Sequence, residues 1–209
     1  MQIYNFELGP IGVNSFLIIP EGADAVLIDA PEGSFEQAQK TLARSGDKIG
    51  HVLLTHAHWD HIWDAAKFQS AGAKICAHKD GQALMETPSS QKGYMFGLDG
   101  LSPAKIDVFL RDGQTLKFGD LAIEARAVPG HCPGSLAFVV ESEKLAFVGD
   151  LLFAGSVGRT DFPGGDFSAL EKSVREKIYT LPDSVKILPG HGGFTSVGEE
   201  KASNPYVRP

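Results

Sequence analysis

Three histidines and one aspartate lie within six consecutive positions of the stretch THAHWDHIWD, which runs from Thr55 to Asp64. The chain has only seven histidines in 209 residues, so nearly half of them fall in this motif. Neutral imidazole and carboxylate groups are ligands that borderline cations such as Zn²⁺ accept. The motif therefore predicts metal binding, and a solvated polar loop is the alternative.

The four side chains of this motif are suited to serve two neighbouring metal positions. His56 and His58 are two residues apart in a predicted loop and can project to the same side. Asp60 and His61 lie at the start of a predicted helix and would face a second position close by. Two ligands each leave both positions incomplete, so further ligands must come from other parts of the chain.

Three more polar residues follow predicted strands and are flanked by glycine or proline, in VPGHCPGS, FVGDLLF and ILPGHGG. A rigid sheet presents side chains to a cleft in this way. The expected ligands are His56, His58 and His131 for a first metal ion, Asp60, His61 and His191 for a second, and Asp150 as a bridge between the two.

This ligand set predicts hydrolysis without a serine or cysteine nucleophile. Water bridging two such ions is deprotonated near neutral pH, and the ions polarise the carbonyl that the resulting hydroxide attacks. Asp60 is the candidate catalytic residue, because it would steer the water in addition to binding a metal ion. Two divalent ions are expected, with zinc first and iron or manganese as alternatives. His51 and His78 lie at strand ends, where we expect structural roles.

Strands and helices alternate along the sequence and would position these residues. The predicted strands cover residues 3–8, 15–19, 25–29, 51–55, 74–78, 121–128, 135–140, 144–149 and 185–189. The predicted helices cover residues 34–46, 60–72, 166–181 and a short segment near 79–86. Glycine and proline break the pattern between 89 and 103, which predicts a loop that covers a cleft. No linker or repeat interrupts the chain, so residues 1–209 are expected to form a single domain.

The composition excludes several classes of function. A formal net charge of −7 without a basic run disfavours nucleic acid as a partner. The apolar runs are far shorter than the roughly 20 residues of a membrane helix, and the first ten residues have no signal-peptide pattern. Two cysteines are too few for a disulfide framework, so we expect a reducing compartment, the cytoplasm. Nothing in the composition indicates an oligomeric state.

The motifs THAHWDH, VPGHCPGS, VGD and PGHG, in this order, resemble the metallo-β-lactamase superfamily over roughly residues 8–192. The resemblance implies an α/β fold, an αββα sandwich of two mixed β-sheets flanked by helices, with a dinuclear site at one edge of the sheets. GSVGRTDFPGGD and GHGGFTSVGEEKASNPY resemble the glyoxalase II-like branch, in its short single-domain form. That likeness implies hydrolysis of S-D-lactoylglutathione or a related hydroxyacyl thioester, an anionic small-molecule substrate.

Other functions of the same fold stay open. GRTDF is also shared with persulfide dioxygenases, which hold one iron and oxidise glutathione persulfide. A lactone or β-lactam hydrolase, or a non-catalytic protein with structural metals, are further alternatives. Cys132 follows His131 where relatives often have threonine or serine, and we expect it to be a small packing residue rather than a ligand.

Arg159 is the main candidate for substrate binding. It lies on a glycine-rich loop after Asp150, where its guanidinium could bind a carboxylate of an anionic thiol carrier such as glutathione. A salt bridge to Asp161 or Asp166 is the alternative interpretation.

Four other residues are expected near the substrate or behind the metal ligands. Tyr94, Phe96 and Phe162 are candidates for the apolar walls of the cleft. Asp29 ends a predicted strand and is expected to orient a ligand histidine through a hydrogen bond to its second ring nitrogen.

Overall fold

The computed structural model describes residues 1–43, 45–93 and 100–209. The chain divides into two compact units, Met1–Leu110 with Phe118–Leu121 and Arg111–Lys117 with Ala122–Pro209. The described residues form two six-stranded sheets, each of them mixed, and a two-stranded hairpin, and helices accompany both large sheets. The predicted fold class, α/β with two mixed β-sheets flanked by helices, is confirmed. That the whole chain acts as a single domain stays a prediction.

The sheet of the first unit has its six strands in chain order. They are β1 (Gln2–Leu8), β2 (Val13–Ile19), β3 (Ala25–Ile28), β4 (Ile49–Leu53), β5 (Lys74–His78) and β6 (Val108–Leu110). The first three strands pair antiparallel, whereas β3, β4, β5 and β6 run parallel to one another. Apolar side chains of the central strands, such as Leu17, Leu27 and Ile75, are fully buried. The parallel half of the sheet brings several strand ends to one edge.

Among its described residues, the first unit has four α-helices: α1 (Ser34–Leu42), α2 (Trp59–Ile62), α3 (Ala65–Ser70) and α4 (Gln82–Glu86). Short 3₁₀ segments cover Lys79–Gly81 and Pro88–Gly93. Ala38, Ile62, Phe68 and Met85 project from these helices into the same buried apolar cluster as Leu27. Burial of this kind is the main source of stability for helices as short as these.

The helix predicted over residues 60–72 is wrong as one element, since α2 ends at Ile62 and α3 begins at Ala65. The break lies at Asp64, whose backbone N–H donates to Ala30 O at 2.9 Å instead of continuing the helical ladder. The Asp64 carboxylate also accepts the backbone N–H of Phe35 at 3.0 Å. These two bonds, one to the β3–α1 connection and one to the first turn of α1, separate α2 as a turn of its own.

The loop predicted over 89–103 is wrong for its first part, because Pro88–Gly93 forms a 3₁₀ helix. Tyr94 and Phe96, two of the predicted wall residues, lie outside the described residues. After that gap, Leu101 and Ile106 return to the apolar cluster of the first unit.

The second sheet has the strand order β14-β13-β10-β9-β8-β7. Its strands are β7 (Gln114–Phe118), β8 (Leu121–Ala127), β9 (Leu136–Val140), β10 (Leu145–Gly149), β13 (Lys186–Pro189) and β14 (Thr195–Ser196), and β11 (Leu152–Phe153) with β12 (Ser156–Val157) forms a separate hairpin. Strands β10 and β13 are parallel, whereas β8 with β9 and β9 with β10 are antiparallel.

Two helices, α5 (Phe167–Ser173) and α6 (Val197–Ser203), accompany this sheet. The predicted helix over 166–181 is present, but its second half, Val174–Ile178, is a π-helical turn. Leu170 and Val197 are both fully buried in the apolar cluster of the second unit. Among the described residues, none of the helices combines the length and apolarity that crossing a bilayer requires.

Candidate metal-binding residues

Parallel strands place the histidine motif beside Asp29 in the first unit. Ile28, the last residue of β3, pairs with Leu53, the last residue of β4. Asp29 follows directly and its N–H donates to Leu53 O at 3.0 Å. Because the carboxyl ends of parallel strands meet at one edge of a sheet, Asp29 and the residues after β4 become neighbours.

The four donor residues of the motif converge in a buried region of the first unit. The ring centroids of His56 and His61 are 4.1 Å apart, and those of His56 and His58 are 4.7 Å apart. Asp60 Oδ2 lies 3.4 Å from His61 Nε2. No member of this group is more than 9% exposed. The helical turn α2 achieves this because it returns Asp60 and His61 toward the preceding loop.

The Asp29 carboxylate determines which ring nitrogen carries the hydrogen in two of these imidazoles. Its Oδ1 accepts the backbone N–H of Thr55 at 2.8 Å, and its Oδ2 accepts the Thr55 hydroxyl and lies beside His61 Nδ1, both at 2.8 Å. An ionised carboxylate only accepts hydrogen bonds, so His61 Nδ1 carries the hydrogen. The Thr55 hydroxyl donates to Asp29 and lies 3.1 Å from His56 Nδ1, which is therefore the donor to Thr55. In these tautomers both rings present the Nε2 lone pair, as metal ligation requires.

Thr55 was not among the residues predicted for the site. Its hydroxyl connects Asp29 to His56, so one buried carboxylate orients two imidazoles. The only sequence signal for this role is the position of Thr55 immediately before the first histidine of the motif. Asp29 itself adopts a left-handed conformation with φ of 59°, and its carbonyl oxygen accepts the Ser15 hydroxyl at 2.7 Å.

In the second unit, Asp150 and His191 follow neighbouring parallel strands, β10 and β13. Gly190 N–H donates to Gly149 O at 2.9 Å, which aligns the two strand ends. His131 lies in the connection between β8 and β9. Because β9 is antiparallel to both β8 and β10, β8 ends at the same edge as β10. The topology therefore places all three predicted donors of this unit at one edge.

Asp150 lies between the two imidazoles of the second unit. Its Oδ2 is 3.7 Å from His131 Nε2 and 3.5 Å from His191 Nε2. His131 Nδ1 donates to Arg159 O at 2.8 Å, so this ring also presents its Nε2 lone pair. His131 is buried, and the His191 side chain is 23% exposed. The position of the carboxylate suits the bridging role expected from the sequence, which stays a prediction.

Close packing around Gly158 holds these donors in place. A methyl group added to Gly158 would lie 1.7 Å from Asp150 O and 3.3 Å from His131 Nδ1. Gly158 N–H donates to Leu151 O at 3.2 Å, so the chain returns close to Asp150 before reaching Arg159. Only glycine fits this approach of two backbone segments.

The Arg159 guanidinium is paired with a neighbouring carboxylate, as the alternative interpretation anticipated. Its Nε and Nη2 donate to the two oxygens of Asp161 at 2.7 and 2.6 Å. Its Cζ lies 3.9 Å from the ring centroid of Phe162, a cation–π arrangement. The hydrogen bonds from Arg159 lower the pKa of Asp161 to about 2. Substrate binding by Arg159 and Phe162 stays a prediction, and a substrate carboxylate would have to replace Asp161.

The remaining histidines and Cys132 make structural contacts. The His51 ring packs against Phe118 with a centroid distance of 5.0 Å, and His78 Nδ1 accepts the N–H of Asp80 at 3.3 Å. Cys132 is buried, and its Sγ lies 3.4 Å from Ser135 Oγ. The structural roles expected for His51 and His78, and the packing role expected for Cys132, stay predictions.

Comparison with known proteins identifies the family. The model of the metallo-β-lactamase superfamily matches residues 8–191. The chain belongs to this superfamily. The hydroxyacylglutathione hydrolase GloC of Haemophilus influenzae is 35% identical over 213 residues, covering 97% of this chain and 98% of that protein. The human mitochondrial persulfide dioxygenase ETHE1 is 35% identical over 191 residues, covering 90% of this chain and 68% of that protein.

Two solved structures share the fold over nearly the whole chain. The BLEG-1 B3 metallo-β-lactamase is 32% identical with a TM-score of 0.89, and 99% of each chain is covered. TTHA1623 in a di-iron-bound form is 32% identical with a TM-score of 0.83, covering 98% of this chain and 100% of that one. The fold, together with imidazole and carboxylate donors of the types that Zn²⁺, Fe²⁺ and Mn²⁺ accept, indicates divalent metal binding.

Proposed function

We propose that this protein is a metal-dependent hydrolase that cleaves S-D-lactoylglutathione or a related hydroxyacyl thioester. The observation that carries the proposal is the similarity to GloC, which extends over 97% of this chain and 98% of that protein. This relative aligns along almost its whole length and is named for hydrolysis of a hydroxyacyl thioester. It therefore supports the substrate assignment more directly than the fold does, because one fold hosts many reactions.

We assign the metal ligands as the sequence analysis predicted them. The assignment is supported by the clustering of donors within each unit and by the hydrogen bonds that fix the tautomers of His56, His61 and His131. The proposed ligands are His56, His58 and His131 for one ion, Asp60, His61 and His191 for the other, and Asp150 for both.

The side chains of this protein would orient the reactants while the bound ions supply the Lewis acidity. When bound, two divalent ions lower the pKa of a water molecule and stabilise the charge that develops on the carbonyl oxygen and the departing thiolate. The Asp60 carboxylate would accept a hydrogen bond from that water and hold its lone pair toward the acyl carbon. Asp29 and Thr55 keep His61 and His56 in the required tautomers throughout.

The Arg159 guanidinium would hold an anionic thiol carrier by exchanging Asp161 for a substrate carboxylate. Its exposed side chain can make this exchange, because the Arg159–Asp161 pair lies at the surface with side chains 57% and 67% exposed. Solvent screens an exposed ion pair and leaves it weak, so a substrate carboxylate can replace Asp161 at little cost. Phe162 would contribute an apolar surface beneath the guanidinium.

The test is hydrolysis of S-D-lactoylglutathione by the purified protein, followed through release of the thiol. We expect turnover that a strong chelator abolishes and added Zn²⁺ restores. The His191→Ala variant should lose both turnover and one equivalent of bound metal. Stoichiometric metal binding without thioester turnover would show that the substrate assignment is wrong.

The second candidate is a persulfide dioxygenase, favoured by the 35% identity to human ETHE1. One iron per chain and oxygen consumption with glutathione persulfide would support it over the hydrolase. The similarity to GloC is more extensive, since the match covers only 68% of ETHE1.

We also propose that the protein works in the cytoplasm. Cys76 and Cys132 are both buried and form no disulfide, as expected for a chain in a reducing compartment.

A further inference from the structure

Gln91 is a completely buried amide that contacts the histidine motif from a distant part of the chain. It lies on the 3₁₀ segment Pro88–Gly93, and its exposed fraction is 0%. Its Oε1 accepts the backbone N–H of Trp59 at 2.9 Å. Its Nε2 donates to Ala57 O at 3.1 Å and to Leu84 O at 3.3 Å. A buried amide costs free energy unless its polar atoms are bonded, and here both ends are.

The bonds to Ala57 and Trp59 enclose one residue, His58. The backbone of His58 has φ of −68° and ψ of 148° as it enters α2, and its side chain makes no capping bond to that helix. Trp59 carries one of the first N–H groups of α2, which have no partner within the helix. Gln91 supplies that partner and at the same time binds the carbonyl on the other side of His58. The direction in which His58 leaves the backbone is therefore fixed from outside the motif.

We propose that Gln91 is a positioning residue for metal binding, which acts by holding the backbone on both sides of His58. The inference rests on the proposed function only in taking His58 as a metal ligand. Ligand geometry must be maintained within a fraction of an ångström, and a short loop without external support would not achieve this. Loss of groups that orient a ligand commonly weakens metal affinity by about 10- to 100-fold.

The chain offers a matched control in Gln69 on α3. Its side-chain amide also binds a distant backbone segment, with Nε2 donating to Lys105 O at 2.9 Å and Oε1 accepting Lys105 N–H at 3.0 Å. A third bond joins Nε2 to Asp107 Oδ2 at 2.7 Å. Gln69 therefore makes three bonds as Gln91 does, but none of them involves the histidine motif.

The experiment compares Gln91→Met with Gln69→Met in the full-length protein. Each substitution removes three hydrogen bonds and leaves an unbranched side chain of similar size. Zn²⁺ affinity is measured by competition with a chromophoric chelator, and unfolding of the metal-free proteins is measured in urea. In Gln91→Met, the affinity for one of the two Zn²⁺ ions should fall by about 10- to 100-fold. The affinity for the other should stay within about threefold of the wild-type value. Gln69→Met should leave both affinities within about threefold while losing stability.

A third variant, Gln91→Asn, keeps the inference testable if the methionine variant does not fold. It keeps a neutral amide, but its side chain is one methylene shorter and cannot bond Trp59 N–H and Ala57 O together as Gln91 does, so its Zn²⁺ affinity should be intermediate. The absorption bands of the Co²⁺-loaded protein provide a second readout, and the asparagine variant should alter the bands of one ion.

The outcomes separate this inference from the proposed function. If the Gln91 variants lose stability but bind both Zn²⁺ ions as the wild type does, Gln91 is purely structural and the inference is wrong. Wild-type protein that binds Zn²⁺ with the predicted dependence on Gln91 but does not hydrolyse thioesters would refute the substrate and leave the inference standing. Wild-type protein that binds no divalent ion would overturn both.

Discussion

Replacing Asp29 by asparagine tests whether one buried carboxylate sets the tautomers of the imidazoles in the histidine motif. Asparagine has nearly the same shape and tolerates the left-handed backbone, which Asp29 adopts with φ of 59°. However, Asp29 accepts three hydrogen bonds, from Thr55 N, Thr55 Oγ1 and His61 Nδ1. An amide keeps one oxygen, so an NH₂ group must replace one of the two acceptors. The backbone N–H of Thr55 cannot reorient, and the oxygen is expected to stay opposite it.

The size of the effect follows from the bond that is lost. With NH₂ in the place of Oδ2, His61 can avoid two opposed donors only by moving its hydrogen from Nδ1 to Nε2, the proposed metal-binding nitrogen. To bind the metal, His61 must return its hydrogen to Nδ1, which then has no carboxylate to accept it. The hydrogen bond that is missing there, one to a charged group, contributes about 1.5–3 kcal/mol. That range agrees with the roughly 10- to 100-fold, or 1.4–2.8 kcal/mol, typical of losing a group that orients a ligand.

The assay is Zn²⁺ affinity by chelator competition, with Ser15→Ala as the control. Ser15 Oγ donates to Asp29 O at 2.7 Å and is equally buried, so its removal should lower stability by about 1 kcal/mol. It leaves the carboxylate contacts intact, and Zn²⁺ affinity should stay within about twofold. The reasoning would be refuted if Asp29→Asn bound Zn²⁺ with wild-type affinity, or if Ser15→Ala lost as much Zn²⁺ affinity as Asp29→Asn does.

Three further predictions concern other parts of the molecule. Burial lowers the pKa of His51, so the unfolded state binds more protons below about pH 6.5, and unfolding free energy should fall as the pH decreases through that range. His51→Gln should flatten this part of the profile in urea unfolding of the metal-free protein, and an unchanged slope would contradict the assignment. Burial raises the pKa of Cys76 to about 12, so mass spectrometry should find no maleimide labelling at pH 8 before urea is added. Gly158→Ala should cost about 3 kcal/mol in urea unfolding because of the contact with Asp150 O, whereas Gly193→Ala, with open space around it, should stay within about 0.5 kcal/mol.

Much of the fold could be predicted from the sequence. Each predicted strand overlaps an observed one, because alternating or continuous apolar runs bounded by glycine and proline are local features. Strands β11, β12 and β14 were not predicted, because a strand of two residues has too few side chains to produce such a pattern. The predicted helix over 60–72 failed at Asp64, where bonds to Ala30 and Phe35 override the helical periodicity.

What the sequence by itself determined was which residues are candidate metal ligands and that they follow strands. Imidazole and carboxylate groups within a motif of six residues, with each further donor following an apolar run, predict metal binding from local features alone. Only the tertiary structure decided which ring nitrogen of an imidazole is available to a metal ion and what holds the surrounding backbone in place. The bonds of Asp29 to Thr55 and of Gln91 to Trp59 join residues 26 and 32 positions apart. Such bonds have no local pattern, because their partners meet only after the apolar core has packed the intervening strands and helices. The pairing of Arg159 with Asp161 was similarly one of two alternatives until the structure showed the contact.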